Sequence, residues 1–445
     1  MKKKLSLRRR SKTGAPDENQ NKILPARRQS FTDARSYNHI AVGGRRLNAE
    51  RTLMFDSVSM LVSLLCILCA LGGNSFAQEW KKIHEGVEYA HVDHKIGGEP
   101  VKINLLRLDL TKVRLDVHHA LDAGIGVEPT SSIAKRHNAV AAINGGFFRL
   151  DTSIWAGDAA GVLKIDGKFL SEPSNERIAL MIKNYPASTK IWFHHARLFV
   201  ALKTGKKQIS ISGLNRERRQ NDSVLYTPEF GRTTLTDGTG LEVVVSGKRI
   251  TKIADSRGSN EIPRDGFVLS VTGTRADELR QIVKLKSRAN VQYGDFTSNT
   301  DPLVFMDQIR SGEGLPGVGI SDDITNGVPQ LIKNGKIDIT WEQEKASKSF
   351  AEMRHPRTAV AKLKDGQFLM ITVDGRQPGV SVGMNLQELA EYILSLGASD
   401  AMNLDGGGST TMYVDGKVLN TPSEKDGERK VSDAIVVTLR KNSRR

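Results

Sequence analysis

The sequence predicts an α+β fold of the mixed α/β kind: a mixed β-sheet with packed helices, an active site at the C-terminal ends of strands, and a β-rich insertion in the middle. Three observations carry that expectation. Apolar runs of strand length recur from residue 101 to the end of the chain. A well-patterned helix falls between two of them, with Leu386, Leu389, Ala390, Ile393 and Leu394 on one face. Three apolar runs each end in a polar residue followed by glycine, and in open α/β sheets ligands collect at such ends.

The elements follow in chain order. VKINLLRLDL from Val101 and VRLDVHHAL after Lys112 alternate as strands, and are expected as a neighbouring pair. TSSIAKRH (130–137) reads as a short helix feeding AVAAI (139–143), a continuous apolar run suited to a buried strand. Asp166-Gly167 marks a hairpin turn. The turn-rich, strand-like stretch at about 185–275 is expected to be the β-rich elaboration. Residues 311–350 are glycine- and charge-rich with no sustained period, and read as surface loops. PRTAVAKL and QFLMITV form a strand pair across 364–366, and Asp415-Gly416 is a plain hairpin turn. Asn385 and Glu388 have capping-box spacing, and Gly397 falls where a helix-terminating glycine belongs.

Charge and targeting narrow the function. The 445 residues carry a formal net charge of +15, which suggests a polyanion binder. Residues 1–77 hold 14 Lys/Arg against five Asp/Glu, a net of +9, and the terminal RKNSRR adds +4, which leaves only +2 between them. The nucleic-acid reading therefore loses its support. Residues 1–53 read as a disordered basic lead-in. Residues 54–77, with the apolar stretch LVSLLCILCAL and small residues at Ser75 and Ala77, read as a signal peptide. Retained uncut, residues 57–77 would instead be a membrane anchor. The expected location is secreted, periplasmic or cell-envelope, with residues 78–445 as the working domain. Cys66 and Cys69 both lie in the signal, so the exported part has no disulfide or thiol chemistry.

The glycine-flanked strand ends are Asn144-Gly145-Gly146, Asp374-Gly375-Arg376 and Asp405-Gly406-Gly407-Gly408-Ser409-Thr410. Glycines let backbone N–H groups approach a ligand, and Arg357, Arg376, Ser409 and Thr410 add donors suited to a phosphate. An isolated Asp-Gly is ordinarily a turn, but a turn does not call for three glycines flanked by Asn403 and Ser409. Histidines at 91 and 94, 118 and 119, and 194 and 195 lack metalloenzyme spacing, so no metal residues are assigned. No cofactor is expected, with calcium at Asp374 or Asp405 left open.

These blocks also carry a resemblance. AAINGGFF (141–148), HPRTAVA (355–361), VDGRQPGVSVGMNLQELAEYILSLGA (373–398), MNLDGGGSTTMYVDG (402–416), and NTPSE followed by Arg429 resemble the phosphodiester glycosidase family, whose animal member removes an N-acetylglucosamine covering mannose 6-phosphate. The resemblance implies hydrolysis of a sugar-1-phosphodiester between the anomeric carbon and the phosphate oxygen. Asp405 would be the principal carboxylate, and Asp374 the second carboxylate or a sugar-hydroxyl ligand. Arg357 and the Gly407 and Gly408 amides would hold phosphate, and Asn144 and Asn403 sugar hydroxyls. Gly145, Gly146, Thr358, Arg376, Gly406, Ser409, Thr410 and Arg429 complete the expected substrate contacts. Two other functions stay open: a metal-assisted phosphodiesterase on the same substrates, and a non-catalytic binder of cell-wall or capsule glycan phosphodiesters.

Overall fold

Residues 78–295 and 319–440 are described by a computed structural model, in which residues from Ala77 onward group as one compact unit. The lead-in, the signal segment with Cys66 and Cys69, and the last five residues lie outside the described residues.

The largest sheet has eight strands, in the spatial order Lys81–His84, Val87–Ile96, Glu99–Leu108, Phe368–Val373, Arg357–Leu363, Ala398–Asn403, Gln330–Lys333 and Lys336–Ile337. Each neighbouring pair is antiparallel. Its central strands are apolar on both sides because both faces are covered. One face receives the helix Leu386–Ser395, whose Leu386, Leu389, Ala390 and Ile393 pack on Ile103, Leu105, Ala359, Ala361 and Ile371. The Asn385–Glu388 capping box starts that helix, and Gly397 at φ +89° follows its end, both as the sequence predicts.

The other face meets two more sheets. One orders Lys417–Val418, Met412–Val414, Ala141–Asn144, Asp433–Leu439 and Val113–His119; the other orders Thr189–His195, Ile178–Asn184, Asp323–Asn326, Leu163–Ile165 and Lys168–Ser171. Leu106, Val360, Phe368 and Met370 of the large sheet share one core with Val117, Ile143 and Ile435 of the second and Leu163 and Leu180 of the third. A further core lies under the strands of residues 198–271, including Leu202, Val243 and Leu269.

This architecture overturns the α+β expectation. The described residues form twenty-eight strands and four α-helices, the longest helix ten residues, so the fold is β-rich. The apolar faces of sheets are covered chiefly by other sheets, which removes the need for packed helices. The apolar pattern at 386–394 does form a helix, but it does not generalise to the rest of the chain. Because the pairing is antiparallel, the edge below Val373 and Asn403 also contains the start of a strand, Arg357. Strand C-terminal ends are therefore not the organising rule.

Two local expectations also change. The runs 99–108 and 113–119 are strands but do not pair; the first joins Val87–Ile96 and Phe368–Val373, the second joins Asp433–Leu439. The described part of 311–350 is not surface loop throughout. Asp323–Asn326 is a buried central strand and Gln330–Lys333 joins the large sheet. Four-residue strands are too short to show a period, which is why they read as loop.

Candidate active site

Antiparallel register brings the chemistry-bearing segments to one place. Arg357 pairs with Val373 and Ala359 with Asn403 in the large sheet, while Ala434 pairs with Asn144 in the second. Asn144 joins the two sheets. Its Nδ2 donates to the Asp405 carbonyl at 2.7 Å, and its Oδ1 accepts from Thr358 Oγ1 at 2.8 Å and from the Thr411 N–H at 3.1 Å. Its side chain is fully buried and hydrogen-bonded at both ends, so it ties these strand ends together. Thr358 is committed to the same staple.

Gly145 and Gly146 have a packing reason. A Cβ on Gly145 would collide with the Asp433 carboxylate, and one on Gly146 would press on Asn326. Asp433 is buried, accepts from the Gly146 N–H at 3.2 Å and from Thr325 Oγ1 at 2.7 Å, and lies close enough to raise the Asp405 pKa. Sequence reasoning missed it, since Ser-Asp before an apolar run reads only as a strand start.

Asp405 stands apart from these buried groups. It keeps an accessible face although protein surrounds its carboxyl. Burial pushes its pKa up to about 6, against the pull of the nearby Ser409 hydroxyl, Arg429 and the Gly406 N–H, the last donating to Oδ1 at 3.0 Å. The glycines after it form a tight turn over Gly407–Ser409, with Gly407 at φ +59°. A Cβ on Gly407 would lie 3.0 Å from Arg376 Nη2, and one on Gly408 would overlap Arg429 and Glu424. Both guanidinium groups thus lie against the glycine turn. Arg429 is ion-paired with Glu424, whereas Arg376 is exposed and makes no ion pair among the described residues. Arg376 itself sits at φ +59°, a backbone conformation uncommon for a side-chain-bearing residue.

Other expected ligands are buried. Arg357 is 1% exposed; its Nε donates to the Met384 carbonyl and its Nη2 to the Phe350 and Met353 carbonyls, and burial, with Arg376 nearby, lowers its pKa to about 9. Its bonds hold the 350–353 and 384 backbone in place. Asp374 is 2% exposed and accepts from Asn420 Nδ2 at 3.2 Å and from the Thr421 N–H at 3.1 Å, with its pKa raised by burial. It anchors the 420–421 loop. Asn403 donates to the Val328 and Leu404 carbonyls, both at 2.7 Å. Ser409 and Thr410 are buried.

His355 is a residue the sequence did not single out. It is half-buried, and burial together with Arg357 and Arg376 holds its pKa below the ordinary imidazole value. Asn420 and Glu424 belong to the NTPSE block but carried no role until the loop was placed.

One group among the described residues has the donors for a metal ion: His118, Asp122 and His137. The two rings stack 3.4 Å apart with planes 6° from parallel, and Arg136 already donates to the Asp122 carboxylate. His118 thus pairs with His137 and not with its sequence neighbour His119. Among the described residues no helix is long and apolar enough to cross a membrane.

Residues 239–438 match the family model described as phosphodiester glycosidase. Over 150 residues the chain is 31% identical to the N-acetylglucosamine-1-phosphodiester alpha-N-acetylglucosaminidase of Mus musculus, covering 32% of this chain. The match spans 28% of that enzyme, well under a third of its length. The fold is similar to a crystal structure of a Synechocystis protein, with TM-score 0.68 at 21% identity, covering 82% of this chain and 64% of that one. It is also similar to a Burkholderia pseudomallei protein described as exported, with TM-score 0.64 at 23% identity, covering 76% of this chain and 74% of that one. At these identities the two structures speak for the fold alone.

Proposed function

With a phosphodiester glycosidase domain at residues 239–438 of the chain, we propose that the protein is an exported hydrolase of a sugar-1-phosphodiester of the N-acetylglucosamine-1-phosphodiester type. The products are the free sugar and a phosphomonoester. One observation carries this reading: Asp405 keeps an accessible face beside a glycine turn backed by two arginines, while Asn144, Asp374, Asn403 and Asp433 are all buried around it.

The chemistry follows from that asymmetry. The bond that breaks joins the anomeric carbon to a phosphate oxygen, and the departing phosphate already carries negative charge. It needs charge stabilisation more than a proton, and Arg376, Arg429 and the Gly408 N–H, the one amide of the turn not already donating among the described residues, supply the donors. Asp405 is ionised above about pH 6 and takes the proton of the attacking water as its oxygen bonds to the anomeric carbon. One open carboxylate suffices for this single displacement, which inverts the anomeric centre. The reading calls for no cofactor.

The test is turnover of a panel of sugar-1-phosphodiesters by residues 78–445, with the products identified by mass. Free sugar with a phosphomonoester supports glycosidic cleavage. Release of a sugar phosphate would show attack at phosphorus instead, and binding without turnover would make the chain a glycan-phosphodiester binder.

A further inference from the structure

A second cavity, of about 630 Å³, lies among Asp158, Ser171, Glu172, Arg177, Arg216 and Arg219. Some of its charges are already satisfied: Glu172 accepts from Arg216 Nε at 2.6 Å and from the Leu214 N–H at 2.8 Å, and Arg216 also reaches Asp222. Others are not. The Asp158 carboxyl and the Arg219 guanidinium make no side-chain hydrogen bond or ion pair among the described residues, although Arg219 lies close enough to act on Asp158 through its charge. Arg177 donates from Nη1 to the Ala160 carbonyl at 2.8 Å, while its Nε is buried without a partner. Burial and the nearby Glu172 push the Asp158 pKa up to about 7, against the pull of Arg216, Arg149 and Arg219. The Arg219 guanidinium and the Arg177 Nε are unspent donors of the cavity, which suits an acceptor-rich, anionic ligand.

The cavity lies near Asp405. The Asp405 N–H donates to the Gly145 carbonyl at 3.2 Å, and two residues on, the Phe147 carbonyl accepts from the N–H of Ala160, a cavity residue, at 2.8 Å. At ~3.3 Å per residue this path places the Asp405 and Ala160 backbones within roughly 13 Å of each other. Between them lies an aromatic shelf. Phe147 and Phe350 meet edge to face at 5.9 Å, Phe147 lies under the Arg177 guanidinium, and Phe350 flanks Arg357. Both rings are only half-buried, and such faces suit the apolar side of a sugar ring.

We infer that the Asp158–Arg177–Arg219 cavity and the Phe147–Phe350 shelf form a second subsite, which holds a further phosphate-bearing sugar of an extended glycan while Asp405 acts on the neighbouring linkage. The inference rests on the hydrolase reading and names its substrate class: a sugar-phosphate polymer, not a lone diester.

Binding is read separately from turnover, using Asp405→Asn protein, calorimetry and two probes. One probe is the methyl diester of N-acetylglucosamine 1-phosphate; the other is a trimer of N-acetylglucosamine 1-phosphate units. The trimer should bind about 10-fold tighter or better, a difference of about 1.4 kcal/mol. Adding Arg219→Glu or Asp158→Ala should erase that advantage, with unfolding midpoints recorded to confirm that each variant is folded. Equal affinities for the two probes, or a trimer advantage that survives both substitutions, would overturn the subsite. If the trimer binds as expected but the unsubstituted protein hydrolyses neither probe, the hydrolase reading fails and the subsite stands.

Discussion

Asn144 Nδ2 donates to the backbone carbonyl of Asp405 at 2.7 Å, so a residue on one sheet sets the position of the open carboxylate at the end of another. The same side chain receives Thr358 and the Thr411 N–H, which makes it the shared fastening of three strand ends. Asn144→Ala leaves those buried partners unpaired. Stability should fall by about 2–3 kcal/mol, and turnover of a sugar-1-phosphodiester by roughly 10²-fold as the carboxylate loses its placement. Thermal unfolding and kcat on the same sample check this.

Asp405→Asn should abolish hydrolysis and make the protein more stable near pH 7. The sign follows from the raised pKa: the folded state holds this proton more tightly than the unfolded chain, so stability falls as pH rises from about 4 through about 6. Asparagine carries no such penalty, and the gain above pH 6 should be about 3 kcal/mol, vanishing below pH 4. In the unsubstituted protein, kcat should rise with pH through about 6. An activity limb that falls there instead would make Asp405 an acid, not a base.

The two arginines named by their motifs should respond in opposite ways. Arg376→Ala removes an exposed group with no ion pair among the described residues, so stability should move by less than about 0.5 kcal/mol, while kcat/KM drops by roughly 10²-fold. Arg357→Met leaves three carbonyls without their donor and should cost about 3 kcal/mol or more. Denaturant unfolding beside steady-state kinetics separates them.

Asp374 should tolerate an isostere. In Asp374→Asn one oxygen remains to accept from the Thr421 N–H, so at least a tenth of the activity should persist, whereas Asp374→Ala frees the 420–421 loop and should lose far more. Burial raises the Asp374 pKa, so this carboxylate also costs stability as pH rises, and Asp374→Asn should flatten that slope. Equal loss in both variants would return Asp374 to a direct chemical role.

Gly408→Ala should remove activity with the fold intact, because the added methyl overlaps Glu424 and Arg429 at the edge of the turn. Gly416→Ala is the contrast. Gly416 sits in open space at φ +87° in the Asp415-Gly416 hairpin, so the same change there should cost only about 1 kcal/mol of strain and leave turnover alone.

Much of this protein is written in short-range signals. The Asn385–Glu388 cap, the turns at Asp166-Gly167 and Asp415-Gly416, and the helix 130–136 each depend on a few neighbouring residues, and all appear where the sequence places them. The sequence also determines which segments carry chemistry, because glycine after a polar residue at a strand end is visible without any partner. Tertiary structure decided the rest. Asp323–Asn326 and Gln330–Lys333 become core strands only through partners far along the chain, and sheets rather than helices cover the large sheet's inner face. Asn144, Asp374, Arg357 and Asp405 look alike as polar groups at strand ends. Long-range pairing buries three of them among hydrogen-bond partners and leaves Asp405 partly exposed, and burial is a property of what surrounds a residue, which its own sequence neighbourhood does not contain.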